Sequence, residues 1–84
     1  MAFFVYVLEC RGRSFYTGIT TDLERRFREH SLGKGSKYVR SRLPARIVYS
    51  EEFGTRSEAL KRENEIKRLT SGQKKMLISR ASGG

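Results

Sequence analysis

The chain contains no tryptophan, a single cysteine, a single proline, a single histidine and only half as many acidic as basic side chains. Each scarcity excludes something. A lone Cys10 cannot form an internal disulfide, and no pair or cluster of cysteine and histidine exists to hold zinc, which fits a reducing, cytoplasmic setting. Long hydrophobic runs are missing too. The stretch Phe3–Leu8 is far short of the roughly 20 apolar residues of a membrane-spanning helix. It also lacks the basic leader and small-residue cleavage site of an export signal. The shortage of acid leaves 18 Lys and Arg against 9 Asp and Glu, a net charge of +9. So large an excess on a small body attracts polyanions, and nucleic acid becomes the leading partner class, although membrane-surface and ribosomal proteins share such a balance.

What is present supports a small packed fold. At 84 residues, with 37% hydrophobic content and nine aromatic residues (Tyr 4, Phe 5), the chain reads as one domain over residues 1–80 with a flexible tail at 81–84. A chain of this size buries only about 60–65% of its unfolded surface, so the core must be thin.

The hydrophobic period changes along the chain in an ordered way. Phe3-Phe4-Val5-Tyr6-Val7-Leu8 is continuously apolar and rich in aromatic and β-branched residues, the pattern of a strand covered on both faces and therefore central in its sheet. A short glycine-containing loop, Cys10–Ser14, leads into a second strand, Phe15–Thr20, giving an antiparallel hairpin. Thr21-Asp22-Leu23-Glu24 has the form of a capping box and predicts a helix from Asp22 to His30, stopped by Gly33 and Gly35. The polar, basic stretch 31–45 reads as an exposed loop. Arg46–Phe53 is a third strand. Thr55-Arg56-Ser57-Glu58 is a second capping box opening a helix to about Leu69, Ser71-Gly72 breaks it, and Gln73–Arg80 forms a last short helix. The order β-β-α-β-α-α predicts an α+β fold, a small three-stranded, largely antiparallel sheet flanked by helices.

Several polar residues fit poorly with packing alone. In the second long helix Ala59, Leu60, Ile66 and Leu69 define an apolar face, and at 100° per residue Glu63 falls within it. A short carboxylate turned toward the body needs either a basic side chain, such as an arginine, or a metal ion. In the first helix Leu23, Phe27 and His30 form a stripe, with Arg26 on its flank one turn before His30, so Arg26 and His30 can point into one place. Taken singly, His30 is a boundary histidine, Arg26 an ion-pair partner for Asp22, and Tyr6 and Tyr16 core aromatics with a hydroxyl to satisfy. Gly18, at a strand end, marks a bulge or a close backbone approach.

As a set, Phe4-Val5-Tyr6, then Tyr16-Thr17-Gly18, then Arg26, His30 and the Glu63 of "ALKRENEIK" resemble the GIY-YIG nuclease domain. The resemblance runs from Phe3 to about Ile78. It is nearest to short stand-alone bacterial members and is similar to the N-terminal nuclease domain of the excision-repair incision enzyme. It implies a metal-dependent endonuclease hydrolysing phosphodiester bonds in DNA, in repair, recombination or nucleic-acid turnover. On this reading Glu63 holds one divalent ion, Mg²⁺ or Mn²⁺, and Arg26 engages the scissile phosphate. Tyr6 and Tyr16 activate and position the water, and His30 orients a base or shuttles a proton. Three departures stand out: Phe4-Val5 replaces Gly-Ile, Ile19 replaces a lysine of the excision-repair branch, and Lys75, or Lys74 on a one-residue slip, takes the place of a common asparagine.

The basic loop supplies candidate nucleic-acid contacts: Lys34, Lys37, Arg40 and Arg42 for phosphates, Tyr38 to stack on a base, and Lys75 for a further phosphate. A solvated, disordered connection is the plainer reading of the same residues. A non-catalytic DNA- or RNA-binding module on the same fold is the competing function. DNA ranks ahead of RNA as the substrate, a membrane is not expected, and specificity has to come from this surface, from a homodimer or from a partner protein.

Overall fold

The computed structural model describes residues 1–81. Strands β1 (Phe3–Cys10), β2 (Ser14–Thr20) and β3 (Ala45–Phe53) form an antiparallel sheet in the order β2-β1-β3. The continuous apolar run thus becomes the central strand, as its pattern requires. Val5, Tyr6, Val7 and Leu8 are all buried, because helices cover both faces.

Alternation along β1 sorts these side chains between two cores. Val5 and Val7 pack with Ala59 and Ile66 of α3 (Arg56–Lys67), with Leu77 and Ile78 of α4 (Ser71–Ala81) alongside. Tyr6, Leu8 and Cys10 face the other way, onto Val39, Leu23 and Phe27. Leu23 and Phe27 belong to α1 (Leu23–Ser31), and Val39 to a short helix, α2 (Lys37–Arg40). An extra residue in β3, Val48, shifts the register between the pairs Val7↔Tyr49 and Leu8↔Ile47.

The stretch 31–45 is more than the exposed loop its composition suggests. Ser36 caps α2 by accepting from the Tyr38 amide, and Val39 is fully buried. Val39, with the partly buried Leu43 beside it, anchors a basic segment to the sheet.

Helix starts also differ in detail. Asp22, not Thr21, caps α1: its Oδ1 accepts from the Arg25 amide at 3.0 Å, while the Asp22 amide donates to the Thr20 hydroxyl at 3.1 Å. Aspartate outranks threonine as a cap, so the start moves by one residue. Thr55 caps α3 as expected, accepting from the Glu58 amide and donating its hydroxyl proton to the Glu58 carboxylate. Helix α3 ends at Lys67 rather than Leu69, and Ser71-Gly72 opens α4 instead of separating the helices. A third capping box explains this. The Gln73 amide donates to Thr70 Oγ1 at 3.2 Å and the Thr70 amide to Gln73 Oε1 at 2.9 Å, so Gly72 sits in a first turn. Ala81, assigned to a tail by sequence, closes α4, and residues 82–84 of that tail lie outside the described residues. Among the described residues no helix is long and apolar enough to cross a membrane.

Candidate active site

The site grows from the pairing of Tyr6 with Gly18 on β1 and β2. Gly18 has no side chain, and the Tyr6 phenol lies across it: a β-carbon there would stand 2.6 Å from the Tyr6 oxygen. Tyr16, two residues away on the same face of β2, brings its ring to 6.4 Å from that of Tyr6.

Helix α1 closes over this pair. His30 is 1% exposed, and its Nε2 lies 2.9 Å from the Tyr6 oxygen. The Tyr16 ring meets the imidazole edge-on at 5.3 Å between centroids. Behind the imidazole stands Gly35, where any β-carbon would overlap Nδ1. Two glycines therefore make room for the two polar rings. Nδ1 has no hydrogen-bond partner among the described residues.

Arg26 reaches the same oxygen. Its Nε donates to Tyr6 at 3.4 Å and its Nη1 to Glu29 Oε1 at 3.1 Å. Glu29, not Asp22, is its ion-pair partner; the Asp22 carboxylate is engaged with the Arg25 amide at the helix cap. With 32% of its side chain exposed, Arg26 joins the buried phenol to solvent.

Glu63 arrives from α3, with only 13% of its side chain exposed. Its partner is a lysine of its own helix rather than an arginine, Lys67 Nζ at 3.4 Å, one turn on. It lies near enough to Tyr6 for its charge to act on the phenol. No group of three or more His, Cys, Asp or Glu side chains suited to a metal ion occurs among the described residues. A hard divalent ion would have to rely on Glu63 together with water and phosphate oxygens. A largely sheltered carboxylate held by a single lysine fits that arrangement.

These surroundings set the protonation states. Burial pushes the Tyr6 hydroxyl above its usual range; the hydrogen bond from Arg26 opposes this, and the nearby Tyr16 and Glu63 add to it. Burial, then the Arg26 charge, pulls His30 below the ordinary histidine value, with Glu29 opposing. At neutral pH the pair is therefore a neutral phenol beside a neutral imidazole able to accept a proton.

The other sequence candidates divide. Tyr38 joins the aromatic wall, 6.1 Å from the Tyr16 ring, with the Arg42 guanidinium 3.9 Å over its own ring. Lys34, Lys37 and Arg40 are exposed on a folded rather than a disordered segment. Lys75 is exposed, whereas Lys74 lines a cleft with Tyr16 and Tyr38. Sequence reasoning missed Glu29 and Gly35. The i, i+3 spacing of Arg26 and Glu29 was a usable signal, but nothing local marks Gly35 as the backing of a ring five residues earlier.

The GIY-YIG catalytic domain family matches residues 2–76. The chain belongs to this family. A UPF0213 protein of Cupriavidus necator is 61% identical over 88% of this chain and 80% of its own length. Two solution NMR structures share the fold. One is the UPF0213 protein BH0048 from Bacillus halodurans, with TM-score 0.61 and 46% identity over 94% of this chain and 84% of that one. The other is EF2693 from E. faecalis, with TM-score 0.67 and 41% identity over 100% and 90%. GIY-YIG membership places the chain in a nuclease family, and the small relatives' names state no reaction or substrate.

Proposed function

We propose that the protein is a divalent-metal-dependent endonuclease hydrolysing phosphodiester bonds, with DNA as its substrate. The observation that carries this reading is the Tyr6 oxygen, which shares hydrogen bonds with Arg26 and His30 while Glu63 approaches from another helix. A polynucleotide binder has no evident use for a sheltered carboxylate beside a phosphate site.

The chemistry follows from the protonation states. Tyr6 takes a proton from the attacking water as it passes its own to His30 Nε2. A buried phenol alone is a poor base at neutral pH, and the neutral imidazole supplies the missing basicity. The new oxygen–phosphorus bond forms as the bond to the leaving oxygen breaks. Arg26, whose Nη2 has no partner among the described residues, offers N–H groups to the phosphate as charge grows on it. Tyr16 packs on the imidazole and keeps its edge toward Tyr6. A divalent ion held by Glu63 supplies Lewis-acid stabilisation of the phosphate oxygens. Substrate choice beyond this comes from the surface itself, from a second copy or from a partner protein.

The Lys67–Glu63 ion pair favours a second reading, a basic DNA- or RNA-binding module without cleavage, because it neutralises the carboxylate. A labelled panel of single strand, duplex, flap, branched DNA and RNA separates the two. It is incubated with Mg²⁺ or Mn²⁺ and with wild type or Glu63→Gln. Cleavage by wild type alone supports the nuclease; binding across the panel without cleavage overturns it.

A further inference from the structure

Beside the site, a cleft of 250 Å³ is lined by Phe15, Tyr16, Thr17, Tyr38, Lys67 and Lys74. Its chemistry is distinctive. Three of the six residues are aromatic and two are cationic, and neither acid nor aliphatic side chain contributes. The remaining one, Thr17, is only 5% exposed and its hydroxyl has no partner among the described residues. The volume lies below the usual ~300–1,000 Å³ of pockets that take a whole drug-sized ligand, which suits a single ring system.

The cleft also shares walls with the reacting groups. Tyr16 touches the His30 ring on one side and lines the cleft on the other. Lys67 lines it too, while its ammonium lies 3.4 Å from Glu63. Whatever enters thus lies beside the residues proposed to act on the phosphate. Arg42, stacked on Tyr38, steadies that ring and adds a planar cation beside it.

Resting on the nuclease reading, we propose that this cleft receives one unstacked nucleobase of the nucleotide next to the scissile phosphate, with Lys67 and Lys74 on the adjoining phosphates. The substrate is then a polynucleotide that gives up a base without breaking a pair: a single strand or an unpaired segment. Aromatic faces accept any base, so the cleft confers strandedness and not sequence. In a duplex the same base must first be unpaired and unstacked, at a cost of a few kcal/mol.

The test is equilibrium binding in chelator, where no cleavage intervenes. The probes are oligothymidylate, a fully abasic chain of equal length, and a duplex. Wild type should prefer the base-bearing chain over the abasic one by roughly 10-fold or more, the range of one aromatic–base stack. Tyr38→Ala should collapse that preference, and Tyr38→Phe should keep it. Lys74→Ala should weaken both chains alike and lower the salt slope by about 0.7. Equal affinity for the two chains, or an equal loss on both in Tyr38→Ala, overturns the proposal. Absence of base preference in the wild type with cleavage intact removes the cleft assignment alone, and base preference without cleavage removes the nuclease reading alone.

Discussion

The phenolic oxygen of Tyr6 and Nε2 of His30, 24 residues apart in the chain, meet at 2.9 Å in the protein interior. Neither has much access to water, and the imidazole has no other hydrogen-bond partner among the described residues. That relationship makes the tyrosine more than a core aromatic.

Tyr6→Phe keeps the ring and removes the oxygen. Cleavage should fall by about 100-fold or more, the usual worth of a positioned proton acceptor. Stability should drop by about 1–3 kcal/mol, because the buried His30 loses its hydrogen bond. Single-turnover cleavage and urea unfolding measure the two; undiminished cleavage would remove the relay.

Acidity should act through His30. Its folded-state pKa is lowered, so below about pH 6.5 the unfolded chain takes up a proton that the folded chain resists. Stability is full above that value and declines as pH falls through it toward the folded pKa. Urea midpoints at pH 7 and pH 5 report the loss, and His30→Gln should shrink it. The acid limb of cleavage belongs below pH 6.5 for the same reason.

Gly35→Ala puts a methyl group into the imidazole. The ring has to shift from its present position against Tyr6, at about 1–3 kcal/mol of overpacking. Cleavage should fall sharply while binding to DNA in chelator persists. Unaltered cleavage would mean that the position of His30 does not matter.

Lys34→Ala, Lys37→Ala and Arg40→Ala combined should lower the slope of log affinity against log salt by about 2–3, near 0.7–0.9 for each lost phosphate contact. An unchanged slope would make the segment bystander surface.

Val39→Ala tests what holds that segment. Removing about two buried carbons should cost about 2 kcal/mol. It should also weaken DNA binding although no charge is lost; a loss of stability without weakened binding would show that the basic residues need no anchor.

Much of the scaffold was legible because its signals are local. The double-faced apolar run of β1, the hairpin after it and the Thr55 cap each declare themselves within a few residues. Tyr6, Tyr16, Arg26, His30 and Glu63 were legible as a set through family resemblance, and helix periodicity alone turned His30 and Glu63 inward. Less was visible where a single residue decides against its neighbours. Val39 is one buried side chain in a polar stretch, too little for any period to register. Thr70 pairs with Gln73 across a serine and a glycine whose composition reads as a break. The partner of Glu63 turned on which of several cations lay in reach, and Lys67, one turn along the same helix, won over any arginine. Lys74 rather than Lys75 lines the cleft, a one-residue difference that the composition of α4 does not reveal.

The central strand carries a last consequence. Tyr6 belongs to a segment hydrogen-bonded along both edges and covered by helices on both sides. Its amide should exchange with deuterium only when the entire molecule opens, whereas the amides of the short α2 should exchange through local fraying. The Tyr6 end of the site is thus as durable as the protein itself. Any adjustment to an incoming strand has to be made by the basic segment and the long cationic side chains around it.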